Sequence, residues 1–325
     1  MAKQSYAQAL VDGIYDSLAA DDRASMIGSY VLGLGPQRNL MDRIREDFPD
    51  RIVDPPTAEA GAAATGVGAA MAGMRPFVDL GTGSFTYLAM SQITNEAAVS
   101  SYMSNGRISA GVTFHLLHGV RGGGAAQHSH SPQSMLCNAP GLEVVAPYSA
   151  ADAYGLVRAA FQSQNPTVIA SHAKLLGIET EVPDKKSVVT IGKADVKRKG
   201  RDVTIVANSL MTHYSLLAAE QLARDGIDAE VVDMRTLVPL DEETILDSVK
   251  RTGRLVVVDE CPLRCGIASE VSASVAEHGF DLLKAPIARV TRAHVPVPFS
   301  LPLEEAITPD PAKIAAAARK VMKNG

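Results

Sequence analysis

Short, mostly apolar segments alternate with longer amphipathic segments along nearly the whole of this 325-residue chain. Segments such as Asp202–Ala207 and Leu255–Val258 are rich in valine, isoleucine and leucine and are too short for stable helices. Strands of this composition are typical of parallel sheets, which are buried on both faces by the helices that connect their strands. The alternation therefore predicts an α/β fold with mainly parallel sheets.

The same pattern divides the chain into two predicted α/β domains, residues 1–180 and residues 200–325. The alternation breaks in residues 181–199, where proline and a charged run are typical of a linker. In the first domain we expect an opening helix capped by Ser5 and a long helix around Tyr87 to Met103. In the second domain we expect the last helix to begin at Asp310–Pro311, with Asp310 as its cap. The predicted strands are Pro76–Leu80, Ile108–Phe114, Glu143–Pro147, Thr167–Ala170, Asp202–Ala207, Ala229–Met234, Leu255–Val258 and Ile287–Val290.

Composition excludes several classes of partner. The net charge of -5 provides no basic stripe for nucleic acid, so we expect a small molecule or another protein as partner. No apolar run reaches the ~18 residues of a membrane span, and the first residues lack the apolar region of a signal peptide. We therefore expect no membrane contact and a cytoplasmic location. The odd number of cysteines, Cys137, Cys261 and Cys265, predicts free thiols.

A glycine-rich loop presents a candidate catalytic histidine. The segment Arg121–Ser129 follows the predicted strand Ile108–Phe114 and contains three consecutive glycines ahead of His128. Glycines let a backbone come close to a ligand, so this loop can aim the imidazole at a bound molecule as a proton-transfer group. A solvated surface histidine is the competing interpretation.

Motifs that the chain lacks exclude other chemistries. It contains neither a P-loop nor the Gly-x-Ser-x-Gly elbow of serine hydrolases. A dinucleotide-like string begins at Gly66 and Gly68 but has Met71 at the third glycine position. The string lies in an alanine-rich predicted helix, so we expect its glycines to permit close helix packing rather than to bind NAD. Two cysteines four positions apart have no second ligand pair at zinc spacing, so no metal ligands are assigned to this chain.

Further motifs occur in one collinear order over nearly the whole chain. They are Pro56–Gly61, Gly66–Pro76, Gln92–Ala98, Ala126–Ser129, Pro140–Val145, Ile191–Val196, Asp202–Val206 and Val295–Ser300. In this order they resemble the β subunit of the E1 component of 2-oxo acid dehydrogenase complexes. This transketolase-like family includes pyruvate, branched-chain 2-oxo acid and acetoin dehydrogenases. The resemblance implies two three-layer α/β/α domains, the first binding the pyrimidine of the cofactor and the second being the C-terminal transketolase-like domain.

The resemblance implies thiamine diphosphate as cofactor. Glu59 stands where the family keeps the carboxylate that hydrogen-bonds the aminopyrimidine, and Phe85 matches the aromatic ring that stacks on it. Thr57 aligns with a position that flanks the cofactor, and His128 corresponds to the histidine near the reacting carbonyl. Without the resemblance, Glu59 is also consistent with a first-turn glutamate, Phe85 with a core residue and Thr57 with a turn residue.

Half of the expected cofactor site is absent from the sequence. Relatives hold the diphosphate through Mg²⁺ with a Gly-Asp-Gly motif, which this chain does not contain. The resemblance implies that a separate α subunit supplies that half, in an α₂β₂ heterotetramer. It also implies contact with a lipoyl acyltransferase E2 core. Some relatives bind a monovalent cation such as K⁺ in the turn that corresponds to Ala160–Asn165.

Departures from the family pattern concern the substrate. Relatives commonly have Gly-Glu-Asp-Val where this chain has Gly28–Val31, and His115, His118 and His130 are unusual. We expect decarboxylation of a 2-oxo acid, or cleavage of an acyloin such as acetoin, with transfer of the acyl or hydroxyalkyl unit to lipoamide. The alternatives are the C-terminal half of a split transketolase and a catalytically silent assembly subunit.

Overall fold

A computed structural model of the chain describes residues 2–29, 37–183 and 187–323. The helices are α1 (Tyr6–Ala20), α2 (Asp42–Asp47), α3 (Glu59–Met71), α4 (Ala98–Met103), α5 (Ala125–His128), α6 (Gln133–Cys137), α7 (Ala150–Gln162), α8 (Ser209–Arg224), α9 (Glu242–Thr252), α10 (Ile267–His278), α11 (Leu301–Ile307) and α12 (Pro311–Lys323). The strands are β1 (Ala2–Ser5), β2 (Ala24–Ile27), β3 (Ile52–Val53), β4 (Arg75–Thr82), β5 (Thr113–His118), β6 (Glu143–Val145), β7 (Thr167–His172), β8 (Glu179–Val182), β9 (Asp195–Arg198), β10 (Val203–Ala207), β11 (Ala229–Asp233), β12 (Thr236–Val238), β13 (Leu255–Pro262) and β14 (Ala288–Arg292).

The chain separates into two compact units by its internal contacts. One unit comprises residues 1–119 and 135–191, and the other comprises residues 120–134 and 192–325. The division after Ile191 lies inside the segment expected to be a linker. The glycine-rich segment groups with the second unit, whereas the division expected from the sequence places it in the first.

In the first unit, six strands of one sheet run in the order β6-β7-β5-β4-β2-β3 with parallel neighbours. Successive strand residues point to opposite faces, so Val78 and Asp79 of β4 identify two different layers. Val78 faces α3. Asp79 faces the opposite layer. On that face the Tyr6 hydroxyl of α1 is hydrogen-bonded to the Ser171 hydroxyl of β7, and α1 packs against α7. Helices thus cover both faces, as expected.

Local helix signals are confirmed at several ends. Ser5 precedes α1, and its hydroxyl accepts a hydrogen bond from the Gln8 amide at 3.2 Å. Asp310 likewise caps α12, where its carboxylate accepts from the Lys313 amide at 2.8 Å. In each case a short polar side chain satisfies an amide that the first helical turn leaves unpaired.

The expected long helix from Tyr87 to Met103 is wrong as a single α-helix. The segment forms a 3-10 helix (Gly83–Ala89), a π-helical stretch (Ser91–Ala97) and then α4. In the π-helical stretch the Thr94 hydroxyl donates back to the Met90 carbonyl at 2.8 Å. Such side-chain back-bonding bends helices, and periodicity alone does not reveal it.

The strand expected over Ile108–Phe114 begins later, at Thr113. The preceding residues make local bonds instead: the Ile108 amide donates to the Ser104 hydroxyl and the Val112 amide to the Ala110 carbonyl. These bonds occupy groups that a sheet ladder would need, so the first half of the apolar run stays outside the sheet.

The second unit contains a five-stranded sheet in the order β14-β13-β10-β11-β9. Its neighbours are parallel except for β9, which is antiparallel to β11. Helices α8 and α12 pack together, while α9 and α10 form a second packed pair against the sheet. The expected mainly parallel sheet is therefore confirmed in this unit.

The structure also bears on the cysteines and on membrane-spanning helices. Cys137, Cys261 and Cys265 are all free thiols. Within the ranges that the structure describes, none of the helices is long and apolar enough to cross a bilayer.

Candidate active site

Glu59 begins α3 and is 7% exposed. The preceding Ala58 offers no side-chain cap, so the Glu59 carboxylate is the negative group at the positive end of this helix. No hydrogen bond or ion pair joins that carboxylate to any other residue of the described ranges. Because a buried carboxylate is costly without a partner, its environment favours a ligand that donates a hydrogen bond to it.

Close packing holds α3 against the sheet. A Cβ atom at Gly66 would lie 2.3 Å from Cγ2 of Val78, whereas one at Gly68 would meet nothing within 4 Å. Gly66 of the dinucleotide-like string thus allows α3 to pack closely against the sheet, as expected. Since α3 follows β3 and precedes β4 in a parallel sheet, its first residue, Glu59, lies at the carboxyl edge, where α/β proteins bind ligands.

Phe85 lies at the same edge. It follows the end of β4 by three residues, is half-buried, and belongs to the 3-10 helix Gly83–Ala89, which packs against α3. The turn before it is braced by Asp79, whose carboxylate accepts a hydrogen bond from the Gly81 amide at 3.0 Å. The structure therefore brings the elements that carry Glu59 and Phe85 together. Thr57 lies in an exposed bend just before α3.

A polar cluster that the sequence did not reveal also lies at this edge. The Ser29 hydroxyl donates to both carboxylate oxygens of Asp54, at 3.0 and 2.9 Å, and Arg45 Nη2 donates to the same hydroxyl at 3.2 Å. Ser29 follows β2 and Asp54 follows β3, so the pairing joins two neighbouring strand ends. Tyr30 and Val31, the rest of the atypical Gly28–Val31 motif, lie outside the described residues.

In the second unit, two buried carboxylates anchor the glycine-rich segment. Glu260 accepts from the Val120 amide at 2.7 Å, and Glu304 accepts from the amides of Gly122 and Gly123 at 2.7 and 2.8 Å. The two glycines have φ values of 87° and 77°, a conformation that other residues rarely adopt. The sequence does not indicate these contacts, because each carboxylate lies at least 140 residues from the amide that it binds.

His128 is the last residue of the one-turn helix α5 and is exposed. Two residues on, burial lowers the pKa of His130, and the charge of Arg292 lowers it further. Burial also lowers the pKa of Arg121 at the start of the segment, an effect that the Glu260 charge opposes. His128 thus belongs to the second unit, whereas Thr57, Glu59 and Phe85 belong to the first.

The unusual histidines of the first unit are buried. His115 lies between Asp79 and Ser171, at 3.4 Å from the carboxylate and 3.0 Å from the hydroxyl. His118 contacts His172 edge to face, with ring centroids 5.0 Å apart. Both side chains therefore lie in the core of the first unit rather than at its surface.

Comparison with known proteins accounts for both units. Residues 3–179 match the family described as transketolase, pyrimidine binding domain, and residues 192–314 match transketolase, C-terminal domain. The chain is 40% identical to the acetoin:2,6-dichlorophenolindophenol oxidoreductase subunit beta of Cupriavidus necator, over 99% of this chain and 98% of the relative. The chain belongs to the transketolase-like family of E1 β subunits.

Other members of the E1 β-subunit family are nearly as similar. The mitochondrial pyruvate dehydrogenase E1 component subunit beta-1 of Arabidopsis thaliana is 39% identical over 96% of this chain and 87% of its own length. The pyruvate dehydrogenase E1 component subunit beta of Rickettsia felis is 37% identical over 97% of both chains. Among solved structures, a split-gene transketolase in an inactive β₄ tetramer has a TM-score of 0.80 at 24% identity over 98% of both chains. That likeness concerns the fold.

Proposed function

We propose that this chain is the β subunit of a thiamine diphosphate-dependent E1 that acts on an acyloin such as acetoin or on a 2-oxo acid. The observation that carries the proposal is the Glu59 carboxylate, buried at the carboxyl edge of the sheet with no partner among the described residues. It occupies the family position of the carboxylate that meets the aminopyrimidine, and its environment favours a hydrogen-bond donor.

The residues present fit the pyrimidine half of thiamine diphosphate. That cofactor, when bound, supplies a carbanion nucleophile at its thiazolium ring. Glu59 would accept a hydrogen bond from the pyrimidine ring and so favour the tautomer that can take a proton. Phe85 would stack on the ring, since its half-buried side chain retains exposed surface on an element packed against α3. Thr57, in the bend before α3, would flank the ring.

His128 is proposed as the proton-transfer group. It is exposed at the end of α5, on a segment that two buried carboxylates hold in place. A histidine placed in this way can donate or accept a proton as the substrate oxygen gains or loses charge. Passing the acyl or hydroxyalkyl unit to lipoamide is the proposed outcome.

The other half of the site is assigned to a partner. An α subunit would bring the Gly-Asp-Gly motif for Mg²⁺ and the diphosphate, giving an α₂β₂ heterotetramer that meets a lipoyl acyltransferase E2 core. The relatives' names support a β role, since each is called a beta subunit. We place the assembly in the cytoplasm, where its free thiols would stay reduced.

We also propose K⁺ as a cofactor in the Ala160–Asn165 turn, which is where the resemblance implies a monovalent cation.

The experiment is calorimetric binding of thiamine diphosphate with Mg²⁺ to this chain, to an α partner and to their mixture. We expect tight binding only in the mixture, together with turnover of acetoin or a 2-oxo acid with an artificial electron acceptor. Glu59→Gln should abolish turnover, and Glu46→Gln, an exposed glutamate on α2, should retain it.

Three other outcomes would contradict the proposal or favour a different function. Tight binding by this chain alone would contradict the divided site. Normal assembly with unchanged turnover in Glu59→Gln and His128→Ala would indicate a silent assembly subunit. Turnover of sugar phosphates in place of acetoin and 2-oxo acids would indicate a split transketolase.

A further inference from the structure

A pocket lies in the first unit, at the sheet edge opposite Glu59. Its volume is about 180 Å³, and it is lined by the end of α1, the start of β2, the start of β4 and the end of α7. Because β2 and β4 begin here, this is the amino edge of the parallel sheet. The volume is several times the ~30 Å³ that one water takes in the liquid, so a small molecule fits.

Two arginines line the pocket without an ion pair. Arg75 is 9% exposed, and within the described ranges its guanidinium donates to the neutral Ser163 carbonyl. Arg158 is half-buried on α7, and within the described ranges no hydrogen bond or ion pair engages its guanidinium. Burial lowers the pKa of Arg75 and the neighbouring charge of Arg23 lowers it further, while the charge of Asp21 opposes both effects. A buried guanidinium without a counter-charge is costly, and an anion would relieve that cost.

The carboxylate that lines the pocket, Asp21, interacts electrostatically with Arg75 but is hydrogen-bonded to a different arginine. Asp21 is held by Arg23, whose Nε and Nη2 donate to its two oxygens at 3.0 and 2.7 Å. That bond lowers the pKa of Asp21 to about 2, so the pair is ionised and internally neutralised at neutral pH. Since this one carboxylate faces Arg23, Arg75 and Arg158, positive charge is in excess around the pocket.

We propose that this pocket binds a small anion carrying a phosphate or carboxylate group. The anion would lie between Arg75 and Arg158, whose planar guanidinium groups suit either group through paired N–H donors. The apolar wall formed by Ala20, Ala24 and Phe161 would receive a short carbon chain where the anion has one. The site is independent of the proposed thiamine site, since it lies at the other edge of the sheet.

The test is calorimetric titration of the full chain with inorganic phosphate and, separately, with acetate, at constant ionic strength in chloride. We expect saturable binding of at least one probe and a matching rise in melting temperature. Arg158→Gln should weaken that binding by about tenfold or more, since charge-assisted bonds to an anion are lost. Arg224→Gln removes an exposed arginine from α8, outside the pocket, and should leave binding unchanged.

The two probes separate the possible ligands. Binding of phosphate alone would assign a phosphate ligand, and binding of acetate alone a carboxylate. A second variant, Arg75→Gln, should abolish binding. Because Arg75 is buried, this variant can fail to fold, and the test then rests on Arg158→Gln, which changes a half-buried residue on the helix surface. Linear, non-saturating heats with both probes, or equal affinity in Arg158→Gln and the unsubstituted chain, would overturn the proposal.

Discussion

His115 and Asp79 meet directly across two neighbouring parallel strands, with His115 Nδ1 3.4 Å from the Asp79 carboxylate and both side chains fully buried. The contact continues from His115 Nε2 to the Ser171 hydroxyl and from there to Tyr6. Asp79 also braces the turn that leads to Phe85. A structural hydrogen-bond chain in the core thus reaches the proposed cofactor edge, although none of its members is exposed.

Removing the imidazole should destabilise the fold. His115→Leu would leave the Asp79 carboxylate and the Ser171 hydroxyl without their shared partner in a dry environment. We expect a loss of about 2–3 kcal/mol in the free energy of unfolding, measured by urea denaturation. A double-mutant cycle with Ser171→Ala should show a smaller combined loss than the sum of the single losses. Strict additivity would show that the contact contributes no coupling.

The two glycines of α3 provide a matched pair. Gly66→Ala should destabilise by about 1–3 kcal/mol, because its new methyl group collides with the stiff, buried Val78 side chain. Gly68→Ala, on the exposed side of the same helix, should stabilise by about 0.5–1 kcal/mol through helix propensity. Thermal unfolding of both variants decides the matter, and effects of equal sign would refute the packing role of Gly66.

Sequence reasoning succeeded where the signal was local or periodic. The alternation of apolar strands with helices predicted both parallel sheets, and single residues such as Ser5 and Asp310 predicted helix starts because caps act within one turn. The residues around Glu59 also indicated a first-turn glutamate, and Glu59 is the first residue of α3. Its role in chemistry stays a prediction.

It failed where the deciding contact is distant in sequence. Glu260 and Glu304 hold the glycine-rich segment through backbone amides, which have no side-chain signature to pair with a carboxylate far along the chain. The Ser29–Asp54 pair was missed for the same reason. The broken helix after Phe85 shows a different limit, since apolar periodicity does not distinguish α-helical from π-helical winding.

Glu304 should control the order of the glycine-rich segment. Glu304→Ala removes the acceptor of two amides, so hydrogen exchange at Gly122 and Gly123 should accelerate by about tenfold or more. Glu305→Ala removes the exposed neighbouring carboxylate and should leave that exchange unchanged. Peptide-level exchange measured by mass spectrometry gives the answer. Unchanged exchange in Glu304→Ala would mean that the loop is held by other contacts.

His130 should titrate below the usual histidine pKa of 6.5, because burial and then the Arg292 charge both disfavour its protonated form. Its lowered pKa contributes stability that is present above pH 6.5 and is lost as the pH falls through the folded-state value. In Arg292→Gln, NMR titration of the ring should show a higher pKa than in the unsubstituted chain, still below 6.5 because burial remains. Arg292→Lys keeps the charge and should shift it less. A pKa that is identical in Arg292→Gln and the unsubstituted chain would exclude the charge effect and leave burial as the cause.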